Sequence, residues 1–319
     1  MKRLDLKVGF SCNSRCVFCA QGHRRNQGDN STEELKEEMK ESREDGAEMI
    51  TFTGGEPTIR DDIIDLVAYA DDLGYDIIQI QSNGRMFSYM EFSKKIVEAG
   101  ANEFSPAIHG HKPEVHEAGT RAEGSWKQCY QGIKNLKELD QYVITNTVVT
   151  KINYEYLPEI TKMLMDLEVD QFQFAFVHPV GWADENFYEV VPKKSKVEPY
   201  VHEALDLAEE HPHEPNNIMV EAFPYCFMQG YEEYVSQLYM PDTEIKGQEH
   251  VIEDHEEVRK EWDKAKAGKC RECKYFEICE GPWKEYPREY GFDEFEPVEG
   301  ERIESKEEVV PEEKKELVH

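Results

Sequence analysis

The chain of 319 residues is 39% hydrophobic and 11% aromatic, so most of its length can contribute to a buried core. Acidic residues outnumber basic ones by 67 to 37, and the formal net charge of −30 repels phosphate backbones, so we expect no nucleic-acid partner. We also expect no membrane partner and a cytoplasmic location, because no run approaches the ~20 apolar residues that span a bilayer, and Asp5 and Lys7 interrupt the apolar core that an export signal needs.

Short β-like runs alternate with amphipathic helical patterns from residue 4 to about residue 180. The predicted strands are Leu4–Phe10, Met49–Thr53, Ile77–Gln81, Glu103–Ile108, Val143–Val149 and Phe172–Val177. Repeated β-α units predict a parallel sheet covered by helices. The predicted fold class is therefore α/β, a partial (β/α)6 TIM-like barrel with a small, irregular, Cys-rich C-terminal extension.

Local signals mark where several helices begin and end. A Ser followed three residues later by Glu or Gln has the spacing of a capping box, Asn favours a helix start, and Gly favours a helix end. The predicted start residues are Ser31, Ser125 and Asn153, and the predicted stop residues are Gly46 and Gly74.

Polar or glycine-rich pieces follow the first four predicted strands. In chain order they are CNSRCVFC, GGEP, QSNG and HGH. In a parallel barrel, active-site residues gather in the loops at the C-terminal ends of the strands. The sequence therefore predicts a functional site at that end of the sheet.

The pattern loosens after residue 180 and predicts three regions. Residues 1–215 form the barrel core and include a helix near Val197–Glu210, and residues 216–296 form the irregular Cys-rich region, where Ile218–Phe223 could add a seventh strand. From residue 297 the chain is charged and poor in core residues, which predicts an acidic disordered tail over 297–319.

Three cysteines, Cys12, Cys16 and Cys19, follow the first strand within eight residues. In a reducing compartment, thiols are more often metal ligands or catalysts than disulfides. Three thiolates can each bind one iron of a cubane and leave the fourth iron open, whereas most iron–sulfur clusters take four cysteines. The alternatives are a zinc site, which usually takes a fourth protein ligand, or buried free thiols.

The spacing Cys-x3-Cys-x2-Cys, with Phe18 before the last cysteine, resembles the radical S-adenosylmethionine (SAM) superfamily over roughly residues 4–180. Gly54, Gly55, Glu56 and Pro57 match the family's GGEP segment, which contacts the amino group of SAM. Two glycines allow a close backbone approach, and Glu56 supplies a carboxylate for an ammonium. The resemblance implies that Cys12, Cys16 and Cys19 bind a 4Fe–4S cluster and carry the catalysis.

Further SAM-binding candidates follow from the same resemblance. Ser82 and Asn83 would lie near the ribose or carboxylate of SAM, or they form an ordinary turn. His109 and Arg121 are candidates for the pocket, and Asn146 could contact SAM or be a satisfied interior amide.

A second metal-ligand pattern consists of Cys270-x2-Cys273-x5-Cys279 with Cys226 upstream. It resembles the SPASM or twitch extensions of radical SAM enzymes, which carry auxiliary 4Fe–4S clusters. The match is partial, because Trp283 stands where SPASM has another cysteine. We therefore expect one auxiliary 4Fe–4S cluster, with zinc as the alternative and Cys226 as the least certain ligand. The eighth cysteine, Cys129, lies in a predicted helix as a packed or free thiol.

The resemblance predicts an enzyme that reductively cleaves SAM to a 5′-deoxyadenosyl radical and abstracts hydrogen from a peptide or small-metabolite substrate. An electron donor such as ferredoxin or flavodoxin would be a further partner. A non-catalytic iron–sulfur electron carrier or redox sensor is the alternative, but it leaves GGEP and the ordered strand-end segments unexplained. A zinc-dependent binding module is a third hypothesis.

Overall fold

The computed structural model describes residues 2–211, 217–247, 252, 254–312 and 314. Eight strands form one parallel sheet in the order β7-β6-β5-β4-β3-β2-β1-β8, which curls into a half-barrel. The strands are β1 Lys2–Lys7, β2 Ala47–Thr53, β3 Ile77–Ser82, β4 Glu103–Pro106, β5 Tyr142–Val149, β6 Gln171–Phe176, β7 Asn217–Glu221 and β8 Asp242–Lys246. The α/β fold class is confirmed.

The number of strands differs from the six expected in the barrel. The run near residue 218 does form a strand, β7, and β8 lies in a region that we expected to be irregular. Its sequence, DTEIK, is short and charged, and it pairs in parallel with β1. Buried charges in β8 are compensated by ion pairs, since Glu244 lies 3.6 Å from Lys2 and 3.3 Å from Lys246.

The two faces of the sheet differ because side chains alternate along each strand. Leu4 and Leu6 of β1 are fully buried in the layer of helices. Arg3 and Asp5, which alternate with these leucines along β1, line a cavity on the inner face of the half-barrel. The apolar face therefore holds the sheet against the helices, and the polar face is left for a site.

The helices cover the apolar face of the sheet and the carboxyl ends of its strands. They are α1 Thr32–Glu44, α2 Ile63–Asp72, α3 Met90–Glu98, α4 Pro113–Thr120, α5 Ser125–Glu138, α6 Leu157–Asp166, α7 Trp182–Glu185, α8 Phe187–Val190, α9 Lys194–Glu209, α10 His255–Val258 and α11 Glu285–Tyr290. Within the described part of the chain, none of the helices is long and apolar enough to cross a membrane.

Three of the predicted helix signals are confirmed. Ser31 and Glu34 form the reciprocal capping box at the start of α1. Gly46 and Gly74 follow α1 and α2 with φ of +91° and +80°, the left-handed conformation that ends a helix.

The other two helix signals are wrong in detail. Ser125 lies inside α5, after Gly124 at φ +74°, and its hydroxyl bonds to that of Thr120 at 2.9 Å instead of capping. The side-chain oxygen of Asn153 accepts from the Thr150 amide at 2.7 Å. Both side chains thus bond to the preceding loop. The side-chain oxygen used in that bond is the one that a helix cap would need, so the loop bond replaces the cap.

The tail differs from the expected disorder over the residues that the structure describes. Val298 and Val310 are buried, and Arg302 Nη1 donates to the Cys273 carbonyl at 2.9 Å. A short 3₁₀ helix spans Lys306–Glu308. Apolar residues spaced among the charges therefore hold residues 297–312 against the domain. Residue 313 and residues 315–319 of the expected tail, and the expected boundary at residue 215, lie outside the described residues.

Candidate active site

The N-terminal cysteine loop, residues 12–19, connects β1 to α1 at the carboxyl end of the sheet. All three of its cysteines are partly exposed. Cys12 Sγ accepts from the Ser14 amide at 3.5 Å, and the Asn83 side-chain amide lies 4.0 Å from it. The resulting site is a set of thiols on an open loop, within reach of the end of β3.

Backbone hydrogen bonds from neighbouring elements fix this loop. Arg15 N donates to Thr120 O, and Val17 N donates to Gly119 O, both at 2.9 Å, so the loop follows the end of α4. On the other side, Trp182 N of α7 donates to the carbonyl of the last cysteine at 3.0 Å. The loop is thus preorganised by backbone groups, and its thiols remain available as ligands.

The thiols of the loop influence one another electrostatically. Burial and, to a smaller extent, the neighbouring thiols acting as like charges raise the pKa of Cys12 and raise that of Cys16 to about 12. Positively charged iron would reverse this effect, because a coordinating thiol is deprotonated by its metal. The donor set therefore fits an iron–sulfur cluster by its chemistry.

In the described residues, no group of three or more His, Cys, Asp or Glu side chains is arranged to hold a single metal ion. The ligand roles of both cysteine groups therefore stay predictions.

The glycines of the GGEP segment bring β2's loop against the cysteine loop. A Cβ on Gly55 would lie 2.1 Å from Ser11 O, and one on Gly54, which has φ +120°, would lie 2.5 Å from Gly9 O. The two loops are joined by the hydrogen bond from Gly55 N to Gly9 O at 2.8 Å. We expected these glycines to allow the approach of a ligand. The structure shows that they also allow the close approach of Gly9 and Ser11, which lead into the cysteine loop.

Glu56 is 2% exposed and connects the ends of β2 and β3. Its Oε1 accepts from the Thr58 hydroxyl at 2.5 Å and the Ser82 hydroxyl at 2.8 Å, and its Oε2 accepts from the Asn83 amide at 2.6 Å. Pro57, also buried, begins the 3₁₀ turn after it. The carboxylate thus fixes the geometry of two candidate residues, Ser82 and Asn83, and its contact with an ammonium stays a prediction.

Phe18 and His109 pack together beneath the cysteine loop. Their rings meet edge to face at 4.9 Å, and His109 Nδ1 accepts from Val148 N at 3.2 Å. His109 N donates to His116 Nδ1 at 3.0 Å. Burial lowers the pKa of His109 well below its usual value and, with a smaller effect of Arg85, lowers that of His116 to about 4. Both imidazoles are therefore neutral acceptors that support the loop.

Arg121 and Asn146 lie in different surroundings. Arg121 follows α4 with φ +50°, in the left-handed conformation, and its side chain is exposed. Asn146 lies on the inner face of β5 and lines the cavity, where its Oδ1 is buried without a hydrogen-bond partner among the described residues. Asn146 thus contributes to the wall of the cavity and keeps a buried, unpaired acceptor among the described residues.

The inner face of the half-barrel encloses a cavity of about 370 Å³. Side-chain amides are prominent in its lining and belong to Gln79, Gln81, Asn146, Gln171 and Gln173. Several side chains are ordered by bonds across strands, such as Gln173 Nε2 to Glu221 Oε2 at 2.6 Å and Thr51 Oγ1 to Gln79 Oε1 at 3.0 Å. Side chains from residues 236–243 and 255–259 contribute a further part of the wall.

The four remaining candidate cysteines line one pocket, which we call the C-terminal cysteine pocket. Its cysteines are Cys226, Cys270, Cys273 and Cys279, and its other walls include Phe276, Phe295 and several prolines. Val298 N lies 3.4 Å from Cys273 Sγ, and the backbone amides of Tyr225 and Gly281 donate to Cys279. Cys226 therefore shares a pocket with the CxxC pair despite the long gap in sequence. Cys129, in contrast, is fully buried in α5, as expected of a packed thiol.

The structure adds residues that the sequence did not indicate. Asp29 Oδ1 accepts from the amides of Phe10 and Ser11, each at 2.9 Å, and so shapes the start of the cysteine loop. Its position between Gly28 and Asn30 is typical of a turn, a signal that could have suggested this role. His116 is similar to many helical histidines, and only the fold reveals its bond to His109.

Residues 6–164, from β1 into α6, match the radical SAM superfamily. This chain belongs to the radical SAM superfamily. The matched region contains the end of β1, the cysteine loop, GGEP and strands β2 to β5.

Curated relatives share this region. The chain is 31% identical over 187 residues to the AdoMet-dependent heme synthase of Oleidesulfovibrio alaskensis, which covers 58% of this chain and 48% of that protein. It is 27% identical over 195 residues to the PqqA peptide cyclase of Bradyrhizobium diazoefficiens, and this alignment covers 60% of this chain and 51% of that protein. The chain spans about half the length of these relatives.

A solved structure extends the likeness over nearly the whole chain. The structure of native anSMEcpe with bound AdoMet and Cp18Cys peptide aligns with a TM-score of 0.66, over 93% of this chain and 92% of that one. The two sequences are 16% identical. The likeness therefore establishes a shared fold.

Proposed function

We propose that Cys12, Cys16 and Cys19 hold a 4Fe–4S cluster at which SAM is reductively cleaved, and that the enzyme abstracts hydrogen from a peptide or small-metabolite substrate. The observation that carries this proposal is the set of partly exposed thiols on a loop fixed by backbone hydrogen bonds at the mouth of the half-barrel. Three protein ligands leave one iron free for a ligand.

A cluster bound there would supply the electron that splits SAM into methionine and a 5′-deoxyadenosyl radical, which takes hydrogen from the substrate. The protein holds the cysteine loop against β2, β3 and α4 and so fixes where SAM is bound. We assign SAM contacts to the aromatic Phe18 and to the ends of β2 and β3, with further contacts from His109, Arg121 and Asn146. The residues at those strand ends are Gly54, Gly55, Glu56, Pro57, Ser82 and Asn83.

We favour a peptide substrate for the cavity. Side-chain amides both donate and accept, so Gln79, Gln81, Asn146, Gln171 and Gln173 match the N–H and C=O groups of a peptide. The peptide cyclase among the relatives and the peptide-bound fold neighbour support this choice. The heme synthase among the relatives supports the small-metabolite alternative.

We assign an auxiliary 4Fe–4S cluster to Cys226, Cys270, Cys273 and Cys279, in a twitch- or SPASM-like region over residues 216–296 that follows a core over 1–215. Four thiols around one apolar pocket and amides that donate to two of the sulfurs support it, because such bonds tune clusters. Four ligands leave no open iron, which favours electron relay over substrate binding. A cytoplasmic donor such as ferredoxin or flavodoxin would supply electrons.

The test is anaerobic reconstitution with iron and sulfide, followed by reduction with dithionite and assay of 5′-deoxyadenosine from SAM. We expect cleavage by the native chain and at least a roughly 10³-fold loss when Cys12, Cys16 and Cys19 are all replaced by Ala, because the cofactor carries the chemistry.

Cys129→Ala is the matched control, because Cys129 is a buried cysteine outside both groups. It should retain cleavage. Cleavage by the triple variant at the native rate would contradict the proposal, and zinc without iron in the native protein would contradict both clusters.

A further inference from the structure

Lys194, the first residue of α9, is 0% exposed. Its Nζ donates to the Ala222 carbonyl at 2.7 Å and lies 3.2 Å above the Phe176 ring. Within residues 2–211, 217–247 and 254–312, no carboxylate lies within ion-pair distance of it. A buried ammonium costs several kcal/mol unless an opposite charge compensates it. One carbonyl and three aromatic rings, those of Phe176, Phe223 and Tyr286 at 3.2, 5.1 and 5.2 Å from Nζ, surround the ammonium, but none of them carries an opposite charge.

Burial and then the neighbouring Lys264 lower the pKa of Lys194 well below its usual value, and the groups that oppose this effect are Glu294 and Cys226. Glu294 already accepts from the Tyr286 hydroxyl and, at 3.1 Å, from the Ser195 amide. Its charge is therefore shared with other donors. Cys226 belongs to the C-terminal cysteine pocket, so ligated thiolates are the remaining source of negative charge beside Lys194.

Lys194 also fixes the segment that carries Cys226. The carbonyl that it binds belongs to Ala222, whose φ of +56° is strained for a residue with a side chain. Ala222 directly follows β7 and lies four positions before Cys226. A bond to the carbonyl of a strained residue is one way in which the surrounding structure maintains that strain.

A second buried lysine, Lys264, lies two residues before Lys266, which lines the same pocket. Lys264 lies 3.4 Å above the Trp283 ring, and its charge interacts with Cys279. Its nearest carboxylate, Glu280, is 4.0 Å away and also pairs with Arg259. Two buried lysines, Lys194 and Lys264, therefore lie close to this pocket in a chain whose net charge is strongly negative.

We propose that Lys194 is a positioning residue of the C-terminal cysteine pocket, where its charge balances the ligated thiolates and makes the auxiliary cluster easier to reduce. This inference rests on the auxiliary cluster proposed above. A fixed cation stabilises the more negative, reduced form of a cluster, and charge near the cluster is one determinant of its reduction potential.

The experiment uses the full chain with Cys12, Cys16 and Cys19 replaced by Ala, reconstituted so that the auxiliary cluster alone contributes to the spectrum. Iron content is measured, and the midpoint potential is determined by EPR-monitored redox titration. Lys194→Met, which keeps the length of the side chain and removes its charge, should lower the reduction equilibrium constant about tenfold. That is a shift of about 59 mV to lower potential for one electron.

Lys246→Met is the matched control, because Lys246 is equally a buried lysine but is paired with Glu244 at 3.3 Å on β8. It should leave the potential unchanged. Lys194→Arg, which keeps the charge, should retain a potential close to that of the parent.

A bound cluster with an unchanged potential in Lys194→Met would overturn the inference. Loss of iron from Lys194→Met but not from Lys194→Arg would support it, whereas loss from both would show that the shape of lysine matters rather than its charge. A parent chain without iron in this pocket would instead overturn the proposed auxiliary cluster.

Discussion

The two cysteine regions of this chain differ in what surrounds the sulfur atoms. Most cysteines of both regions are partly exposed, but polar side-chain groups such as the Asn83 amide lie beside the thiols of the N-terminal cysteine loop. The C-terminal cysteine pocket has apolar walls, and backbone amides point at its sulfurs. An iron with an open coordination position beside polar groups suits a site that must admit a ligand. A cluster with four protein ligands in apolar surroundings suits electron transfer.

The two regions are also held by different means. The N-terminal cysteine loop depends on loops from other strands and helices, in particular the close approach of Gly55 to Ser11 and the carboxylate of Glu56. The C-terminal cysteine pocket depends on side-chain packing and on residues 297–312, through Val298 and Arg302. Substitutions at the ends of β2 and β3 should therefore affect the first region and spare the second.

The largest effect is expected for Gly55→Ala. Its Cβ would overlap the backbone oxygen of Ser11 at 2.1 Å, so the cysteine loop must move. We expect the variant to lose about half of its cluster iron, and SAM cleavage to fall about 10²-fold, the scale of a 1 Å misplacement. Iron analysis and the 5′-deoxyadenosine assay measure both.

Gly268→Ala is the control for Gly55→Ala, because nothing lies within 4 Å of a Cβ at that position, close to Cys270. It should retain its iron and its activity. Equal loss of iron from both variants would show that the two regions do not depend on separate supports.

An intermediate effect is expected for Glu56→Gln. In Gln an amide nitrogen, which cannot accept a hydrogen bond, replaces one of the two carboxylate oxygens. If it replaces Oε1, the Thr58 and Ser82 hydroxyls lose their buried acceptor, and if it replaces Oε2, the Asn83 amide does. We expect the free energy of unfolding to fall by about 2 kcal/mol, the scale for hydrogen bonds to a charged group. Urea unfolding followed by circular dichroism measures it.

Glu123→Gln, at an exposed position before α5, is the comparison for Glu56→Gln and should change the free energy of unfolding by less than about 0.5 kcal/mol. A similar change in both variants would contradict the supporting role of the buried carboxylate. The auxiliary cluster should keep its spectrum in either variant.

The sequence predicted the sheet well because strand and helix periods alternate regularly up to residue 180. Runs such as Ile77–Gln81 are rich in β-branched residues, with three isoleucines in five positions, as is typical of parallel strands. The same argument missed β8, whose DTEIK sequence has a single β-branched aliphatic residue and depends on ion pairs. The charged composition of residues 297–312 likewise predicted disorder, whereas a few apolar residues such as Val298 and Val310 are enough to pack this segment against the domain.

For the candidate site, motif spacing indicated the cysteine loop and GGEP but not what the residues contact. Glu56 was expected to face a ligand, and its carboxylate is in contact with Thr58, Ser82 and Asn83. Lys194 is similar to a surface lysine in the run PKKSK, yet it is fully buried. Burial and partner choice arise from the packing of distant segments, which local patterns do not encode.

The smallest effect concerns the histidine support beneath the N-terminal cysteine loop. The pKa of His116 is lowered to about 4 by burial, whereas an unfolded His titrates near 6.5. Between these values the unfolded state binds a proton that the native state does not, so stability falls as the pH falls from about 6.5 toward 4. Between pH 7 and pH 5.5 this single group should cost about 1 kcal/mol of unfolding free energy.

His116→Asn keeps a side-chain acceptor for the His109 amide and removes the titration, so its loss of stability between pH 7 and pH 5.5 should be smaller by that amount. His23→Gln, on the exposed 3₁₀ turn after the cysteine loop, should behave as the native chain does. Urea unfolding at the two pH values measures the difference. Identical pH dependence in the native chain and His116→Asn would mean that mild acid does not act on the N-terminal cysteine loop through this histidine.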